Sequence, residues 1–180
     1  MNVCIALYKG EGRWHNRVVR DWTNSEYSHA ELILPDTTSI TIFPFSLKGL
    51  HREPFPEHEE NEWDFICVPV NPHQLSIIEK FYEQTKGQHY DWIGMLASQL
   101  VPFHIKHKDR WYCSEWIAYA LRLAGIGKGL HGESVMSPEL LSRLIPDATK
   151  YEKFADVPKG TEWNNTWLQV SHFGPQDADK

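Results

Sequence analysis

Residues Tyr112 to Ala124 constrain this chain most, because they read as an amphipathic helix. Cys113, Trp116, Ile117, Ala120, Leu121 and Ala124 fall at i, i+3, i+4, i+7, i+8 and i+11, and Gly125 stops the run. One apolar stripe of that length needs a second layer to pack against. The stripe begins with a thiol. In the first turn of a helix the unpaired backbone N–H groups and the helix dipole favour a negative charge, so Cys113 is placed to be a thiolate. Its plainer role is that of a small buried hydrophobe. The neighbours Trp111, Tyr112, Ser114 and Glu115 are aromatic or polar rather than aliphatic, which suits the rim of a cleft.

A nucleophilic thiol needs a base, and the segment Tyr27-Ser28-His29-Ala30-Glu31-Leu32-Ile33-Leu34 offers one. It alternates as a half-buried strand does. Tyr27, His29, Glu31 and Ile33 share one face, and Ser28, Ala30, Leu32 and Leu34 share the other, which is the core face. A phenol, an imidazole and a carboxylate in a row are either a solvated face or a base with its orienting group. Two candidates can orient His29. Glu31 is its same-face neighbour, and a carboxylate stabilises imidazolium better than a hydroxyl does. Thr41 can lie opposite His29 if the chain turns around Asp36, but a one-residue change of register would turn it away. Cys4 and Cys67 sit mid-strand among Val, Ile and Phe and read as structural.

The flanking pattern predicts an α+β fold, a small and mainly antiparallel sheet packed against helices. Residues 2–8 form a buried strand ended by Gly10 and Gly12. Residues 13–23 form a helix with Trp14, Val18 and Trp22 on one stripe. Pro35-Asp36-Thr37 turns the 27–34 strand into a β-branched strand over 38–43. Residues 44–61 carry three prolines and the acidic run Glu57 to Glu60, and read as a surface loop. A strand follows at 63–70. Asn71 caps a helix with Pro72 at its first position, ending at Gly87. Short helices are expected from Asp91 to Leu100 and from Ser137-Pro138-Glu139, and an irregular chain after Pro146. The expected division is a catalytic domain over 1–146 and an extension over 147–180, packed on it and frayed at its end.

The chain has 180 residues and a formal net charge of −6, which argues against a nucleic-acid partner. No stretch of 18 apolar residues exists, so no integral membrane segment is expected, and the start does not resemble a secretory signal. Three cysteines suggest no disulfide framework and a reducing, cytoplasmic location.

Tyr27-Ser28-His29-Ala30-Glu31, Gly87-Gln88-His89-Tyr90-Asp91-Trp92-Ile93-Gly94 and Tyr112-Cys113-Ser114-Glu115 occur in that order. Together they resemble the circularly permuted branch of the papain-like, NlpC-type cysteine hydrolases, in which the histidine precedes the cysteine. The likeness covers roughly residues 1–145. It implies Cys113 as nucleophile, His29 as general base and a polar orienting residue, for which Glu31 and Thr41 both stay open. Ala30 is compatible with the small residue relatives usually carry there. Members of the family cleave amide bonds in cell-wall peptides or act on acyl lipids, so the expected substrate is a peptide or an acyl lipid, with no cofactor. A thiol acyltransferase and a non-catalytic binding module are the competing readings.

Tyr27, Tyr90 and Tyr112 are expected to line the site, since a phenol offers a packing face and a donor. The Cys113 N–H is the natural oxyanion donor, and a tyrosine hydroxyl can assist it. Asp91 can instead simply cap a helix. A zinc site on His104, His107, Cys113 and His89 is a weaker competitor, because no paired Cys-x-x-Cys exists and Lys106, Lys108 and Arg110 would oppose a cation.

Overall fold

The computed structural model describes residues 1–12, 14–23, 25–44, 46–55, 62–91, 110–127, 141, 145 and 148–157. The helices expected over 91–100 and from Ser137, and the frayed end, lie beyond these residues apart from Asp91 and Leu141.

Five strands form one antiparallel sheet with a sixth from the C-terminal part of the chain. They are β1 (Asn2–Tyr8), β2 (His29–Ile33), β3 (Thr38–Thr41), β4 (His51–Pro54), β5 (Trp63–Pro69) and β8 (Thr149–Tyr151), in the order β4-β3-β2-β1-β5-β8. The helices are α1 (Trp14–Thr23), α2 (Pro72–Thr85) and α3 (Cys113–Leu123). Two short strands, β6 (His89–Tyr90) and β7 (Arg110–Trp111), pair in parallel just before α3. The fold is therefore α+β with a mostly antiparallel sheet.

Both faces of the sheet are covered. On one, Val3, Ile5 and Leu7 of β1 and Ala30 and Leu32 of β2 join a core completed by Ile78 of α2 and by Trp116, Ile117, Ala120 and Leu121 of α3. Phe81 stacks on Trp116 at 5.4 Å between centroids, and the Trp116 Nε1–H donates to Thr85 Oγ1 at 2.9 Å. On the other face, Cys4, Ala6, Ile33, Phe55, Trp63 and Phe65 pack with Phe154. The expectation of one core face on β2 is thus incomplete: every residue from His29 to Ile33 is buried.

Helix ends follow local chemistry. The Asn71 side chain accepts from the Gln74 N–H, and the Gln74 side chain accepts from the Asn71 N–H. Asn71→Ala is expected to cost about 1 kcal/mol, seen as a fall of a few degrees in melting temperature. At the far end of α3, Gly125 takes φ +72, the Ile126 N–H donates to Leu121 O and the Gly125 N–H to Arg122 O. That double closure needs the left-handed backbone glycine provides.

Four elements differ from expectation. The loop read over 44–61 contains β4, whose His-Arg-Glu-Pro sequence shows no apolar alternation because it is an edge strand, where charge and proline are tolerated. The stretch after Pro146 contains β8, which pairs with β5, and Phe154, which packs 5.1 Å from Phe55. In α1, Val18 is 52% exposed, and Val19 is the buried valine. The helix turns Asn16 and Val19 inward, one turn apart, rather than Val18. Thr41 is not opposite His29: continuing the Leu32–Ile40 pairing places it opposite Glu31 and diagonal to the histidine, still on the same face.

The cysteines correct a further expectation. Cys4 and Cys67 face each other in the β1–β5 ladder and are joined by a disulfide. Met1 and Val70 form a hydrogen-bonded pair at the end of that ladder, so alternation makes the Cys4–Cys67 pair non-hydrogen-bonded, the type with the closest side chains. Reduced, unpaired cysteines were the ground for a reducing, cytoplasmic location, and that ground is gone. Among the described residues, no helix is long and apolar enough to cross a membrane.

Candidate active site

The start of α3 packs over the start of β2, and this brings Cys113 to His29. Tyr112 is the N-cap residue and contributes no side-chain capping bond to the first-turn N–H groups. The Cys113 sulfur accepts from one of them, that of Ser114, and from the Ala30 N–H. Leu34 N–H donates towards β3, and alternate residues of β2 point the same way. Ala30 shares that direction but lies past the last β2–β3 pair, Leu32–Ile40, which leaves its N–H for the sulfur.

The His29 side chain is the third partner of the sulfur. Its Nε2 lies 3.1 Å from Thr41 Oγ1 and 3.4 Å from Glu31 Oε1, which leaves Nδ1 for the thiol. Both residues left open in the sequence therefore reach the same nitrogen. Phe43 stacks on the imidazole at 4.7 Å, and Trp63 meets it edge-on at 6.3 Å. Glu31 is 2% exposed, so the solvated-face reading of this strand does not hold.

The electrostatics follow from these contacts. Burial works to raise the Cys113 thiol, but the His29 charge and hydrogen bond, with the two backbone donors, outweigh it and hold the thiol below its ordinary 9.0. Burial works to lower His29, but the sulfur and Glu31 outweigh it and push the imidazole up to about 10. Between those two transitions the pair is thiolate and imidazolium. Activity that needs both charges rises as Cys113 loses its proton below pH 9 and falls as His29 loses its own near pH 10. Glu31→Gln removes one cause of the raised imidazole, so the alkaline fall is expected to move below 10 in a pH profile of turnover, whereas Thr41→Val should leave it in place.

A cleft of about 290 Å³ opens beside His29, bounded by Asn16 and Val19 of α1, by Phe43 and Glu53, and by Trp63 and Tyr90. Tyr90 is buried against the site, and burial followed by the nearby sulfur raises its hydroxyl well above the ordinary range. Cys113 is buried, 7% exposed, and does not line the cleft. Neither Tyr27 nor Tyr112 lines the cleft as expected. The Tyr27 hydroxyl donates to Asp64 Oδ2 at 2.8 Å, and Tyr112 is buried at the helix cap. Asp91 is 2% exposed, and its N–H donates to Trp111 O. His89 is exposed, and His104 and His107 lie outside the described residues.

Glu53, Phe43, Trp63 and Ser28 were not anticipated. Glu53 sits on the unrecognised edge strand, where its Oε2 lies 3.1 Å from His51 Nε2. Ser28 precedes the first residue of β2, so strand alternation does not govern where it points.

No family model matches the chain, and no curated protein does. Among solved structures, the chain is similar to the crystal structure of the metalloprotein yiiX from Escherichia coli O157:H7. The two share 14% identity and a TM-score of 0.54, over 85% of this chain and 97% of that one. At that identity the likeness speaks for the fold.

Proposed function

We propose that this chain is a cysteine hydrolase of the circularly permuted papain-like type, acting on an amide bond of a peptide, such as a cell-wall peptide, or on an ester. The observation that carries the reading is the buried Cys113–His29 pair, with the thiol held low and the imidazole high. In this reading the Cys113 thiolate attacks the carbonyl carbon, and the His29 Nδ1–H protonates the leaving group. Water, deprotonated by the now neutral His29, then releases the acyl group. Glu31 and Thr41 hold the ring through Nε2, and Glu31 stabilises its charge. First-turn N–H groups of α3 face the developing oxyanion.

The description of yiiX as a metalloprotein does not carry over on the residues described. Among them, no group of three or more His, Cys, Asp or Glu side chains is placed to hold a metal ion.

Incubation with a panel of p-nitrophenyl esters and peptide anilides, followed by mass spectrometry of the intact protein, tests the reading. A single acyl adduct on Cys113 that is discharged by water is the expected result. An adduct that persists until an amine is added would make the protein a transferase, and no adduct with any acyl donor would favour a binding module.

A further inference from the structure

The cleft and the nucleophile do not meet. His29 lines the cleft, whereas Cys113 is buried and does not. A carbonyl carbon must come to within about 3.5 Å of the sulfur before it can be attacked. Something between the two has to give way.

Two side chains of the cleft wall border the sulfur. His29 shares a hydrogen bond with it, and Tyr90 lies close enough for the sulfur's charge to raise its hydroxyl. The imidazole is pinned. Thr41 Oγ1 and Glu31 Oε1 sit 3.1 and 3.4 Å from Nε2, and Phe43 stacks on the ring at 4.7 Å. Turning His29 aside would also take the acid away from the leaving group. Tyr90 carries no proton in the proposed chemistry. Burial and the sulfur keep it a neutral phenol beside the thiolate, so its departure separates no ion pair.

The main chain around Tyr90 is fixed. Tyr90 pairs with Trp111 in the β6–β7 ladder, the Asp91 N–H donates to Trp111 O at 2.9 Å, and the Leu50 N–H donates to Gln88 O at 2.8 Å. The Trp111 Nε1–H donates to Gln88 Oε1 at 2.6 Å. Gly49 approaches so closely that a Cβ there would lie 2.6 Å from Gln88 O. Motion at this point is rotation of the side chain about its own bonds, with β6 staying in place.

We propose that the Tyr90 ring is a gate: it closes the way from the cleft to Cys113, and an entering substrate turns it aside before the thiolate attacks. Tyr90 thereby selects acyl groups by size. The gate rests on the hydrolase reading for its place in turnover; the screening of the sulfur does not.

The test compares the alkylation rates of the full-length, oxidised protein by N-methylmaleimide and by the bulkier N-pyrenylmaleimide, each relative to glutathione. Cys4 and Cys67 are tied in the disulfide, so Cys113 is the thiol that reacts. In the wild type the bulky reagent is expected to lose at least tenfold against the small one. Tyr90→Ala should bring the ratio close to that of glutathione. Should that variant fail to fold, Tyr90→Leu should raise the ratio severalfold. Tyr90→Phe should keep the wild-type ratio, because the ring and not the hydroxyl blocks the way. A wild-type ratio equal to that of glutathione would overturn the gate. So would a ratio unmoved by the shortened side chains, or one that Tyr90→Phe raises as much as they do. The pH midpoint of iodoacetamide alkylation separates the two claims. A midpoint below 9 with an unmoved size ratio sinks the gate alone. A midpoint at 9 or above in both the wild type and Tyr90→Ala, with the ratio responding as expected, sinks the hydrolase and leaves a screened thiol.

Discussion

Cys113→Ala is expected to abolish turnover, and His29→Ala to slow it by roughly 10²- to 10⁴-fold, with the melting temperature of each little changed. On the proposed mechanism, the first removes the atom that attacks the carbonyl. The second removes both the proton that leaves with the product and the charge that keeps the thiol ionised. Without His29, burial is the largest influence left on Cys113, opposed by the Ala30 and Ser114 N–H groups. The thiol should then titrate well above its wild-type position. Losing charge and acid together makes His29 more than a positioning residue, so an added general acid should restore only part of the rate. Wild-type-like turnover in either variant would remove the hydrolase reading.

The second large effect concerns stability. The disulfide links residues 63 positions apart in sequence, and closing a loop of that length in the unfolded chain is worth about 4 kcal/mol. The double variant Cys4→Ala, Cys67→Ala is therefore expected to melt on the order of 10 °C lower than the oxidised protein. Reduction with dithiothreitol should shift the wild type by a similar amount and leave the double variant unmoved. The bond ties β1 to β5 at the middle of the sheet, while His29 and Cys113 depend on β2 and α3. Cys113 reactivity in the double variant, measured well below its melting temperature, should match the wild type. Equal melting temperatures under oxidising and reducing conditions would show that the disulfide adds no stability.

The parts of the molecule legible in the sequence are those with a local cause. The α3 stripe, the Asn71-Pro72 start of α2, the Gly125 stop and the turn at Asp36 each depend on residues within a few positions of one another. His29 and Cys113 were legible by type and order. Their contact was not, because it depends on where α3 lands on β2. Edge pairing was invisible for the opposite reason: His51–Pro54 and Thr149–Tyr151 are strands only because β3 and β5 offer them partners. The Cys4–Cys67 bond needed the register of two strands far apart in sequence. Thr41 and Glu31 both proved to reach His29 Nε2 because they are cross-strand neighbours on one face, a relation fixed by register rather than by spacing.

The most direct measurement is the pH dependence of Cys113 alkylation by iodoacetamide in the wild type and in His29→Ala, followed by peptide mapping. The wild-type midpoint should lie below 9, and the variant's midpoint should move up to 9 or beyond. The same midpoint in both proteins, at 9 or higher, would mean that the imidazole does not ionise the thiol, and the proposed chemistry would have no nucleophile.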